Sequence, residues 1–207
     1  MEEKRITEKE SLEIITEMIS RTKDRYLGDG SILLMWGYLT VAVTVAVWIL
    51  LDATHDDMWN WLWLLIPIVG SISTPKMVRR QQSRYGVKNY SGKVISKIWS
   101  VVGFSTVVPI MFCLAFQLIY NIDAWSMMLA YVLILVPFAE IAQGIILKEG
   151  ILMSGGAIGL LIGIFTLCCI AGWVELGAHW YLPLFMAAFF AMMIIPGHML
   201  NLRARQR

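Results

Sequence analysis

Six long apolar runs, joined by connections that alternate between basic and base-free, constrain this chain more than any other feature. The runs cover 31–51, 59–74, 98–120, 125–147, 151–174 and 180–202. A helix needs about 20 mainly apolar residues to cross a hydrocarbon core roughly 30 Å thick, and five of the runs meet that length directly. The second is short and contains Pro67, so it reaches full span only by starting near Met58 or continuing through Pro75. A water-soluble reading would require six apolar helices with nothing left to cover their surface. Composition agrees, because 15% charged residues and a mean hydropathy of +0.67 fall well short of the about one quarter charged that a soluble domain carries.

The distribution of bases orients the spans. All 17 Lys and Arg residues lie before the first run, between the second and third, between the fourth and fifth, or after the sixth. The other three connections hold no base and carry Asp52, Asp56, Asp57, Asp123 and Glu175. Cytoplasmic connections are enriched in Lys and Arg, so both termini are expected in the cytoplasm. Deleting one span from the count would move every later connection to the wrong side and destroy the segregation. Trp59, Trp61, Trp63, Trp125, Trp180 and Tyr181 then fall at the outer interface, where amphipathic rings are favoured. The expected fold is all-α and polytopic, with six transmembrane helices arranged as three hairpins with short outer turns. The first thirty residues are polar and acidic, so no cleavable signal peptide is expected, and run 31–51 serves as a signal anchor.

Residues 1–30 form the expected cytoplasmic N-terminal region. Thr7 and Glu10 are spaced as a capping box, and Leu12, Ile14, Ile15, Met18 and Ile19 share one arc of a helical wheel. The opposite arc carries Lys9, Glu10, Glu13, Thr16, Glu17 and Ser20, which makes an amphipathic helix of about four turns. Its docking face (Leu12, Ile15, Met18, Ile19) has three available occupants: anionic lipid, the chain's own cytoplasmic segment, or a protein partner. Helices that lie on membranes are usually rich in Lys and Arg on the polar face; the glutamates here favour contact with protein. The expected cytoplasmic loop 75–97 holds seven bases and no acid. Topology and attraction to anionic headgroups account for it, and no nucleic-acid recognition module accompanies it. A basic tail, 203–207, closes the chain.

Few residues within the spans could carry chemistry. Glu140 is the one acid well inside a run, eight residues before Lys148, or roughly 12 Å along a helix. A carboxyl there is expected to be protonated, paired or facing a wet cavity. Gln143 lies one turn on, while His198 and Asn201 reach a similar depth on the sixth span. The four form a candidate intramembrane polar site, in which Glu140 and His198 would make a proton-sensitive pair or separate structural hydrogen bonds. Gly155, Gly159 and Gly163 form a small-residue stripe, which lets a neighbouring helix approach closely within the chain or in a homodimer. Cys113, Cys168 and Cys169 all lie in apolar runs and have neither disulfide nor zinc spacing. Zinc-protease, serine-hydrolase and P-loop signatures are missing, so no metal, cofactor or catalytic residue is expected.

Four stretches carry a resemblance: 10–19 (ESLEIITEMI), 35–38 (MWGY), 137–144 (PFAEIAQG) and 194–201 (IIPGHMLN). Through them the chain resembles a group of uncharacterised small multi-pass membrane proteins of Bacteroidetes-type bacteria over nearly its whole length. The resemblance implies a bacterial inner membrane and names no substrate. Two functions follow from the residues. One is a non-enzymatic membrane protein that docks a cytoplasmic or membrane partner through its N-terminal helix and basic loop. The other is a small proton-linked transporter built on Glu140, Gln143 and His198.

Overall fold

A computed structural model of the chain describes residues 9, 12–14, 16, 30–85, 90–122, 124–174 and 177–206. All regular secondary structure among these residues is helical, and six helical segments are long and apolar enough to cross a membrane. The protein is therefore an all-α, polytopic membrane protein. The spans are Ser31–Thr54, Asp57–Gln81, Ser91–Tyr120, Trp125–Leu147, Gly150–Ala171 and Ala178–Arg205. Helix α1 is Ser31–Thr54, α2 Leu65–Tyr85, α3 Tyr90–Ala115, α4 Trp125–Leu147 and α5 Gly150–Ala171. The sixth span is α6 (Ala178–Phe189), a π turn (Phe190–Ile194) and α7 (Ile195–Arg205).

The short second run gains length at both ends. A 3₁₀ helix, Asp57–Leu64, precedes α2, with Asp56 Oδ1 accepting from the Met58 amide at 2.9 Å. Such a helix rises about 2.0 Å per residue rather than 1.5 Å, so eight residues cover extra depth. The same winding lies just before Pro67, whose ring would clash with the carbonyl four residues back in an α-helix. At the other end α2 passes through Pro75 and continues to Tyr85. With α3 starting at Tyr90, the basic segment 75–97 differs from a loop: its described residues belong to two helices that extend beyond the apolar runs 59–74 and 98–120.

Neighbours in space follow the row second span, α1, sixth span, α5, α4, α3. At one end of the row, the Trp36 indole donates to Thr74 at 3.0 Å and Gln81 to Ser31 at 3.2 Å. At the other, Tyr131 of α4 donates to the Ser105 carbonyl of α3 at 3.4 Å. Trp125, Leu133, Leu152, Phe185 and Met192 are fully buried along the middle of the row, and Trp63 of the second span is buried with its ring against Phe185. Phe104, Leu118, Leu161 and Phe165 stand exposed, as expected where lipid is the solvent.

The closest packing runs along α5. Pro137 cannot donate to the Leu133 carbonyl one turn back, and that carbonyl lies where a Cβ on Gly163 would stand. The sixth span repeats the device through its π turn, in which the Ile195 amide bonds Phe190 five residues back. In that register Pro196 has no N–H for Ala191, and the Ala191 carbonyl lies 2.9 Å from the Cβ position of Gly155. Between them, the Cβ position of Gly159 is 2.9 Å from Met192 Sδ and 3.2 Å from Pro137 Cγ. The glycine face of α5 thus admits two backbone carbonyls freed by prolines.

Gly163→Ala is expected to lower stability by about 1–3 kcal/mol through overpacking, despite a helix-propensity gain of about 1 kcal/mol. Gly103, with nothing within 4 Å of its Cβ position, gives the contrast: Gly103→Ala should be neutral or mildly stabilising. Thermal denaturation of both variants in detergent checks the pair.

Candidate functional site

The polar residues of the spans do not form one cluster. Gln143 of α4 accepts from the Trp99 indole of α3 at 2.6 Å, which makes it an interhelical bond. His198 Nε2 lies 2.6 Å from the Tyr38 hydroxyl, with the two rings edge to face at 5.9 Å. Both residues of that pair are exposed on the outside of the bundle, between α1 and α7. Asn201 is half-buried one turn further on.

Glu140 stands apart from all three. Its side chain is 0% exposed, and neither carboxyl oxygen has a hydrogen-bond partner among the described residues. The structure therefore does not make the Glu140–His198 pair that their depths suggested. Depth along two helices is read from residue counting, but the direction in which each side chain points depends on helix rotation. Pro196, Gly197 and Leu200 take the buried face of α7, and His198 turns outward.

One ionic contact joins elements that the sequence reading left separate. Glu149, at the α4–α5 turn, is buried and accepts from Arg203 Nη1 at 2.9 Å. It ties that turn to the end of the sixth span. The signal for it was present: an acid between two span ends, on the same side as a tail of three arginines.

At the opposite, acidic end, His179 lies 3.7 Å from Asp52 with both side chains largely exposed, an arrangement worth little in water. Between the α1–3₁₀ turn and the end of the third span lies a cavity of about 440 Å³, lined by His55, Asp56, Asp57, Met58, Trp61, Gln117 and Asn121. Gln117 is engaged, accepting from the Trp125 indole at 2.9 Å. No group of three or more His, Cys, Asp or Glu residues able to hold a metal occurs among the described residues.

The remaining candidates lie at the basic end or within the α5 seam. Of the docking face, Leu12 is described; Ile15, Met18 and Ile19 lie outside the described residues, as does the capping box. Leu12 and its neighbour Ile14 are helical and 64% and 43% exposed. Gly155, Gly159 and Gly163 are all buried and packed against α4 or the sixth span.

No family model matches the chain, and comparison with curated proteins and with solved structures finds no significant similarity. The class rests on the fold itself: an integral membrane protein of six spanning helices.

Arg203→Ala removes the cation from a buried carboxylate and is expected to cost about 1–3 kcal/mol. Arg205→Ala, at an exposed position, should stay within about 0.5 kcal/mol of the unmodified protein. Denaturation midpoints in detergent measure both.

Proposed function

We propose that this is a non-enzymatic protein of a bacterial inner membrane, with both termini cytoplasmic, that docks a protein partner through its N-terminal helix and basic helical ends. The observation that carries the reading is the exposure of Leu12 and Ile14 at the N-terminal end. Apolar side chains on an amphipathic helix gain from burial in a groove, at about 25 cal/mol per Å² removed from water. Glu13 beside them is exposed, and with Glu10 and Glu17 on the same arc it disfavours an anionic lipid surface. Lys76, Arg79, Arg80, Lys93 and Lys97 on the extensions of α2 and α3 are exposed as well. The combination suits a partner that offers an apolar groove with basic edges and a second, acidic patch. The orientation rests on the confinement of all 17 bases to alternate connections. The transporter alternative loses the support of a shared polar site, since Gln143 and His198 each bond elsewhere.

A photo-crosslinking residue at Leu12 in living cells is expected to give an adduct with a second protein, lost when Ile15 and Ile19 are both changed to Glu. Adducts confined to lipid or to this chain would overturn the reading. Cysteines at position 3 and at Asp56 test the orientation: a membrane-impermeant thiol reagent added to spheroplasts should label only the second.

A further inference from the structure

Glu140 occupies a definite sector of α4. At 100° per residue, three residues fall about 60° short of a full turn. Glu140 therefore lies about 60° from Pro137 on one side and about 60° from Gln143 on the other. Pro137 touches α5 at Gly159, and Gln143 bonds Trp99 of α3. The sector between them also carries Leu129, Leu133 and Val136, all buried. The carboxyl thus points into the apolar interior of the bundle, with both oxygens unpartnered among the described residues.

The titratable groups on the elements packed against α4 are placed elsewhere. On α3, Lys93 and Lys97 are exposed, and the Cys113 thiol donates to the Ala124 carbonyl. On α5, Cys168 is exposed and Cys169 buried, and Thr166 gives its hydroxyl to the Ile162 carbonyl. On the sixth span, His179 faces Asp52, Tyr181 donates to the Ser126 carbonyl, His198 faces Tyr38 and Arg203 faces Glu149. On α4 itself, Tyr131 bonds Ser105 and Lys148 is exposed. No cation or donor in this set reaches Glu140. A metal ion would need several further oxygen ligands, and the described residues group no acids for one.

An ionised carboxylate in such a place is strongly disfavoured, because burial strips it of solvating water and no cation or donor stands in for that water. A bound proton removes the charge. We propose that Glu140 is an intramembrane proton-binding site, holding its proton while α4, α5 and the sixth span are packed together and releasing it when that packing opens to water. Release is an acid dissociation: the O–H bond breaks, its electron pair stays on the carboxylate, and the proton passes to water. Proton occupancy and helix packing are then linked, so a change in either shifts the other. The inference is independent of partner docking, which concerns the basic end of the molecule.

Infrared spectroscopy of the full-length protein in lipid nanodiscs at neutral pH tests it. A protonated-carboxyl C=O band is expected, absent in Glu140→Gln and shifted in Glu140→Asp, which keeps the acid should the amide fail to fold. A spectrum with no such band, or a band unchanged in both variants, overturns the proposal. Gly159→Leu forces α5 away from Pro137 and Met192 and should diminish the band at the same pH. A full-strength band in that variant would overturn the link to packing.

Discussion

The seam between α5 and its two neighbours holds the bundle together. In lipid, helices gain little from hiding apolar surface and must associate through close van der Waals contact and polar interactions. Glycine at 155, 159 and 163 brings backbone against backbone there, and the carbonyls of Leu133 and Ala191 project into the space. Each carbonyl is released by a proline on its own helix, so the prolines and the seam are parts of one arrangement. A side chain at Gly163 would push against backbone, which cannot swing away as a flexible side chain can.

Among the described residues, polar side chains at membrane depth obey the rule that a buried donor or acceptor needs a partner, with Glu140 as the departure. Indoles answer Gln143, Gln117 and Thr74, each across a helix–helix contact, so Trp125, which reads as an interface anchor, also joins the two helices of its hairpin, and Trp36 and Trp99 do the same without that signal. Glu140 is answered by nothing in the described residues, inside the part of the molecule that is otherwise best packed. Uncompensated groups of this kind mark places where a structure gives up stability for another property, and a bound proton is the compensation the surroundings allow.

The two ends of the bundle have different chemistry. One carries acids, two histidines and an open cavity; the other carries helical extensions studded with bases and the Glu149–Arg203 pair. Glu149 clamps the α4–α5 turn to the last helix close to where the chain leaves the membrane. Helices, rather than a loop, carry the bases of 75–97, and this gives their charges fixed positions from which to meet a partner or a headgroup.

Much of this was legible in the residues alone. Hydrophobic length and the confinement of bases to alternate connections predicted six spans, and four of the six observed spans start and stop within three residues of those runs, because the bilayer sets one dominant length; the second runs on to Gln81 and the third begins at Ser91. Even the weak second run carried its solution, a start near Met58 and passage through Pro75. The sequence by itself determined the number of spans and, within α-helical stretches, the depth of the polar residues, since depth there follows from counting at a constant rise per residue. Which helices meet, and which way each side chain turns, only the tertiary structure decided. Rotation about a helix axis costs nothing in a uniformly apolar run, so backbone packing sets it, and the π turn before Pro196 shifts the phase further. For that reason His198 meets Tyr38, Gln143 meets Trp99, and Glu140 is left alone in the interior.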